Sequence, residues 1–367
     1  MPSHVPCPPR LWAVPLALGA AVWLGWAGPL AAGEPAGPSA TPQPEDAAPV
    51  LEEAAGGGTA LPAPWRGSQF IWRNAVGTTS LNPDYQTFNP YYAMVFSFEP
   101  RWYFSEQLFL RASLDVTREL TQADDTTYAG EAWLGDLSFA VGMSHWWTIP
   151  VVGIDLSAEL QGVAPTSKLS QARSLVVALR PSLRLTRSFD LLGGLTLGTS
   201  LRAGPSLHRY TTAQTASPLI PGCAASAEGC SRYLHSGLRN PVARLQQTFD
   251  VSLAVLDWLS TSVVFGYAVD WLTPLSTQEQ ISLEPQSDPS QRFYSLLALE
   301  VTFRPLPALE VGVGYQAFLP QLAPDSTYYN PFDNPYATLF IDLRLDVAGL
   351  ISTITGADAE RSSQYDL

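Results

Sequence analysis

The sequence predicts an all-β chain, a transmembrane antiparallel up-and-down β-barrel of about twelve strands. Three observations predict it. Apolar and polar residues alternate with a period of two over long segments, the connections between those segments alternate short and long, and aromatic residues gather at both segment ends.

Composition sets the frame. Of 367 residues only 14% are charged and 11% are aromatic, whereas soluble domains carry about 25% charged residues. After the N-terminus no long apolar run occurs, so the apolar residues are dispersed. A net charge of −13 argues against nucleic acid as a partner. Lys168 is the sole lysine, and no polybasic patch exists for anionic lipid.

Residues 1–33 read as an export signal. Arg10 gives the positive n-region, Leu11 to Trp26 the apolar core, and Ala31-Ala32-Gly33 the small residues for cleavage. The core falls short of the ~20 residues that a spanning helix needs. Residues 34–65 are rich in Ala, Pro and Gly and carry Glu34, Glu45, Asp46, Glu52 and Glu53 without a basic residue. Such a stretch buries too little apolar surface to order itself, and it is expected as a disordered periplasmic linker. Cys7 leaves with the signal. Cys223 and Cys230, in PGCAASAEGC, read as a loop disulfide in an oxidising compartment. Only His235 lies near that pair, so neither a metal site nor a cofactor is expected.

From Arg66 the period becomes two. Phe70 and Trp72 share one face of a short first strand near 68–76. Tyr92, Met94, Phe96 and Phe98 alternate with Ala93, Val95, Ser97 and Glu99. Leu179, Leu183 and Leu185 alternate with Arg180, Ser182 and Arg184, and Leu339, Ile341 and Leu343 with Phe340, Asp342 and Arg344. Further strands are expected near 108–119, 133–144, 151–163, 194–208, 243–256, 260–272, 291–304 and 308–318. Those near 91–104, 173–187 and 336–348 complete the set. A soluble β-sandwich shows the same alternation with its apolar face inward. Sandwich strands average ~5–6 residues, however, while these run for about a dozen, as tilted membrane strands do.

Short connections fall at Ser105-Glu106-Gln107, Trp146 to Pro150, Phe189 to Leu192, Asp257 to Leu259 and Pro305 to Pro307. Long ones fall at 77–90, 120–131, 164–172, 209–242, 273–290 and 319–335. With the N-terminus in the periplasm, every short turn lies inside and every long loop outside. Trp102, Phe104, Trp146, Trp147, Trp258 and Phe303 neighbour the short turns. Tyr91, Tyr92, Trp133, Trp271, Phe293 and Tyr336 neighbour the long loops. Two such rows match the interfacial girdles of a membrane barrel.

Over residues 66–348 the pattern resembles the outer-membrane β-barrel superfamily of Gram-negative bacteria. The stretch LSAELQGVAPTSKLSQARS is similar to the meta-pathway phenol-degradation channels. The resemblance implies a bacterial outer-membrane protein with both termini in the periplasm. Its implied partners are outer-membrane lipid, the barrel-insertion machinery and a small solute. Members commonly end on an aromatic residue that closes the last strand. Here TLFIDLRLDV resembles that strand, and residues 349–367 continue past it as an expected periplasmic tail.

With the apolar face toward lipid, parity sends the charges inward. The lumen and constriction candidates are Arg101, Arg111, Asp115, Asp155, Glu159, Arg180, Arg184, Arg202, Arg244, Asp250, Asp270, Glu300, Glu310, Asp342 and Arg344. Glu99, Asp136, Arg304 and Asp346 face the same way. Charges of both signs either pair across strands or line a constriction that orients a polar solute. Arg180, Arg184 and Arg202 are expected to face Glu300, Glu310 and Asp342 across the lumen and so set up a transverse field. Gly142, Gly198, Gly204, Gly266, Gly312 and Gly314 also point inward, which suggests a narrow open lumen.

The expected function is passive passage of small solutes through this lumen. A structural or adhesive barrel acting through the 209–242 loop is the alternative. A lipid-modifying hydrolase is a lesser one, built on Ser206 and His208 with Arg244 and Asp270 at their level. That group faces away from lipid, so no catalytic residues are assigned and the protein is read as a non-enzyme.

Overall fold

The structure is a computed structural model that describes residues 63–81, 90–121, 130–216, 233–274, 290–322 and 327–355. The strands are β1 (Gln69–Gly77), β2 (Tyr92–Glu99), β3 (Arg101–Tyr103), β4 (Leu108–Glu119), β5 (Ala132–Leu134), β6 (Leu137–Ile149), β7 (Ile154–Ala164) and β8 (Leu175–Phe189). There follow β9 (Leu195–His208), β10 (Thr212–Ala216), β11 (Tyr233–Arg239), β12 (Pro241–Leu256), β13 (Leu259–Leu272), β14 (Gln291–Leu306), β15 (Leu309–Pro320) and β16 (Ala337–Asp346).

Pairing is antiparallel throughout and up-and-down in order. β16 meets β1 from Gln69↔Asp346 to Gly77↔Thr338, and this seam closes the sheet on itself. β2 and β3 form one wall strand broken at Pro100, which has no N–H for the ladder. β5 and β6 form another, both pairing with β4. β10 and β11 pair only with each other and stand beyond the rim as a hairpin stem. The wall therefore has the 12 strands the alternation predicts. Closure leaves no strand edge and pairs the backbone polar groups of the wall internally, the condition for crossing hydrocarbon.

Several local readings are corrected. The 164–172 connection holds a short helix, α1 (Lys168–Ala172), started by Ser167, whose Oγ accepts from the Ser170 N–H at 3.1 Å. Trp146 and Trp147 are not in a turn. They belong to β6, whose register with β7 slips between Met143 and Trp147, and His145 takes a φ of 47° in that bulge. The 209–242 connection begins and ends as β10 and β11, while Cys223 and Cys230 lie outside the described residues. Past β16 the chain enters α2 (Val347–Thr355), an uncharged helix of two and a half turns that begins the segment expected as a tail. Asp346 Oδ2 accepts from the Gly349 N–H at 2.6 Å. Gly349 itself lies on the β14–β15 turn, where a Cβ would come within 2.7 Å of the Pro307 carbonyl.

The two faces follow the alternation. Phe70, Phe96, Leu179, Leu183, Phe249, Phe265 and Ile341 are exposed on the outside, and Phe70–Phe98 and Phe249–Phe265 stack there at 4.7 and 5.2 Å. At the short-turn end Trp102, Phe104, Trp146, Trp147, Trp258 and Phe303 are exposed, as a girdle requires. At the other end Tyr92 and Phe293 are exposed, while Tyr336 packs edge-on against Tyr329. Burial, with Tyr329 beside it, raises the Tyr336 phenol pKa above its ordinary value.

Candidate functional site

The core of this protein is its lumen. Many inward residues on β13–β16 and β1 are buried, among them Val264, Ala268, Asp270, Leu296, Glu300, Thr302, Phe318, Phe340, Asp342, Arg344, Ile71 and Ala75, while Arg73, Arg292, Tyr294, Ala298, Glu310, Gln316 and Thr338 are half-buried. Val264, Ala268, Leu296 and Phe318 form one apolar cluster among them. This wall is filled by side chains.

Its charges are tied together. Arg73 Nε and Nη2 donate to the two oxygens of Asp342, each at 2.8 Å, and its Nη1 reaches Gln316 Oε1 at 3.1 Å. Arg344 Nη2 donates to Asp342 Oδ2 at 3.0 Å and to Glu300 Oε1 at 2.5 Å. Asp342 is thus shared by two arginines and is wholly buried, at 0% exposure. Buried charges persist only when paired in this way. Nearer the short turns, Arg304 Nε donates to Glu310 at 2.9 Å.

Arg73 is the member that sequence reading omitted. The signal was present, since Arg73 has the parity opposite to Phe70 and Trp72. The expected transverse field loses half of its basis here. Glu300 and Asp342 are neutralised by Arg344 and Arg73, and Glu310 by Arg304, instead of facing β8 and β9 uncompensated.

The inward glycines are corrected as well. A Cβ on Gly142 would meet the Phe109 ring at 2.4 Å, and one on Gly314 the Phe340 ring at 2.3 Å. On Gly198 it would meet the Asp250 carboxylate at 2.2 Å, and on Gly312 that of Glu300 at 2.3 Å. These glycines make room for side chains of adjoining strands, not for an open lumen. Gly204 and Gly266 are crowded by the carbonyls of Leu179 and Gln247.

The opposite wall differs. On β7, β8 and β9 the inward residues Ser157, Glu159, Arg180, Ser182, Arg184, Ser200, Arg202 and Ser206 are half-buried, while Gln161, Val163, Ala178 and Thr186 are buried. Arg202 sits opposite Ser182 in the ladder, between Arg180 and Arg184 along the neighbouring strand. Two carboxylates flank this group, and each is engaged. Glu159 Oε1 accepts from Arg111 Nη2 at 2.8 Å, and Asp250 Oδ2 from Arg184 Nη2 at 2.7 Å across β9. Arg101 lies over the Phe109 ring at 5.0 Å, and Asp115 is buried on the same face of β4. Asp155 sits at the short-turn end, 4.0 Å from His145 Nε2.

At the long-loop end Arg244 Nε and Nη2 bind the two oxygens of Asp270 at 2.6 and 2.8 Å. His208 Nδ1 is 2.8 Å from the Arg173 carbonyl. The quartet with Ser206 is thus split into an ion pair and a backbone-held histidine at the mouth. Among the described residues no cluster of His, Cys, Asp and Glu could hold a metal ion.

No family model matches the chain, and no curated protein matches it. Solved structures do. An outer membrane channel from Pseudomonas putida F1 aligns over 80% of this chain and 100% of its own, at 10% identity and a TM-score of 0.47. The NanC porin aligns over 76% of this chain and 98% of its own, at 8% identity and a TM-score of 0.39. The β domain of the Bordetella autotransporter BrkA covers 78% of this chain and is matched over its full 100%, at 11% identity and a TM-score of 0.32. At such identities and scores the likeness is one of barrel architecture alone.

Proposed function

We propose that the protein is a passive channel of the bacterial outer membrane, carrying small polar solutes along one side of a partly filled lumen. The observation that carries this reading is the inequality of the two inner walls. A larger share of the inward side chains is buried on β13–β16 and β1 than on β7–β9, where the arginines and serines at mid-strand are half-buried. A barrel serving only as a scaffold gains nothing by keeping one wall polar and accessible to water. Barrels of this size stand between filled eight-stranded and wide sixteen-stranded ones, so a narrow path is the geometry expected.

The outward apolar belt and the aromatic rows support a bilayer location. Short turns then lie in the periplasm, as do both termini, and long loops lie outside. The test is single-channel recording of the refolded full-length protein in a planar bilayer, with solute entry into liposomes as a second measure. Discrete current steps and solute uptake are expected. A folded, inserted barrel that passes neither ion nor solute would remove the channel reading.

A further inference from the structure

We infer that helix α2 is an interfacial anchor, lying along the short-turn rim with its apolar stripe embedded in the phospholipid of the periplasmic leaflet. The inference rests on the bilayer orientation proposed above and not on the passage of solute.

The nine residues of α2 include no charged side chain. At roughly 100° per residue, Val347, Leu350, Ile351 and Ile354 fall on one stripe of the helix. Gly349 lies about 150° from the centre of that stripe. It is Gly349 that rests on the β14–β15 turn, where its missing side chain admits the Pro307 carbonyl and the Ala308 Cα. The helix therefore meets the barrel by its small side and turns its apolar stripe away from that turn. The stripe is not buried. Ile354 is 74% exposed, and Val347, Leu350 and Ile351 are half-buried.

The helix is tied to the rim at its start. The Asp346 N–H donates to the Ala308 carbonyl at 2.9 Å, and the Val347 N–H to the Ser68 carbonyl at 3.0 Å. The turn beneath it exposes Leu306, and the strand leading into that turn carries Phe303, stacked on Trp258 in the girdle. The stripe thus continues a surface that already faces lipid. Turned to the lumen instead, it would set aliphatic side chains against the paired charges of Arg304 and Glu310.

The polar groups of α2 are spent within the chain. Ser352 Oγ donates to the Gly349 carbonyl at 2.9 Å and Thr353 Oγ1 to the same oxygen at 2.7 Å. Neither hydroxyl proton nor ion is left for lipid to desolvate. A helix this short is marginal by itself, but its tether to the barrel holds it at the bilayer surface at high effective concentration. Without a cation it binds through apolar contact alone, whatever the charge of the phospholipid.

The experiment uses the full-length barrel, with Cys7, Cys223 and Cys230 replaced by Ser. It is placed in nanodiscs of phosphatidylethanolamine and phosphatidylglycerol, where water reaches both faces. Ile354→Cys carries an environment-sensitive fluorophore, quenched in turn by doxyl-labelled lipid and by aqueous iodide. Strong quenching is expected from doxyl near the head group, less from doxyl at the chain end, and little from iodide. Thr353→Cys, exposed on another side of the helix, should show the reverse preference for lipid and iodide. Exchanging phosphatidylglycerol for phosphatidylcholine should change neither result. Leu350→Asp with Ile351→Asp should abolish lipid quenching at the 354 label.

Folding is read from heat-dependent gel mobility, and should the Asp pair not fold, the 353 and 354 labels decide. A 354 label open to iodide and untouched by doxyl would put α2 in water and overturn the inference. A label shielded from both would put the stripe against protein and overturn it equally. Leu183→Cys on the outer wall tests the bilayer location by itself. If chain-borne doxyl does not quench that label, the membrane reading fails, whatever α2 does.

Discussion

Asp342 is the residue on which the buried cluster turns, since Arg73 and Arg344 both depend on it. Asp342→Ala would leave two guanidinium groups in the filled wall with one remaining carboxylate, Glu300. Breaking a buried pair by removing one partner typically costs about 3–5 kcal/mol. A urea refolding titration should show that loss for Asp342→Ala, and a smaller one for Asp155→Ala at the barrel end. Equal losses would show that the cluster carries no special weight. The inward carboxylates and arginines were legible in the sequence from parity alone. Their partners were not, because Glu300 and Arg344 lie on strands that do not touch. Nor could parity show that Gly314 and Gly142 receive the Phe340 and Phe109 rings. Gly314→Val should overpack that contact and destabilise by about 1–3 kcal/mol, measurable in the same titration.

Strands were the most readable elements, because a dozen residues of unbroken alternation leave little choice of face. What escaped was set by events outside the alternation. Pro100 splits a strand by withholding one donor, and the bulge at His145 moves a turn from Trp146 to Pro150. Helix α2 escaped because nine uncharged residues after the last strand hold only one repeat of helical apolar spacing. The faces of β8 and β12 admit a direct test. Leu183→Arg places a charge on the outer face and should cost ~2–4 kcal/mol if it lies near the bilayer midplane. Ser252→Arg points inward, two residues from Asp250, and should cost much less. Comparable costs in refolding would contradict the assignment of faces.

The whole molecule has a direction, set by which rim carries the short turns. With Cys223 and Cys230 replaced by Ser, a thiol introduced at Gln171 in α1 should react with an impermeant reagent on intact cells. One introduced at Glu106 should react only after the outer membrane is opened. Labelling of Glu106→Cys from outside would invert the barrel. The seam gives this architecture a property in time as well as in space. Arg73 and Asp342 are 269 residues apart, one on the first wall strand and the other on the last. Until the final strand arrives, the first holds a cation whose counter-ion does not yet exist. A truncated or half-made chain therefore has an uncompensated charge where its lumen should pack, and joining the two ends is what relieves it. The clasp makes completion of the chain the condition for a stable ring.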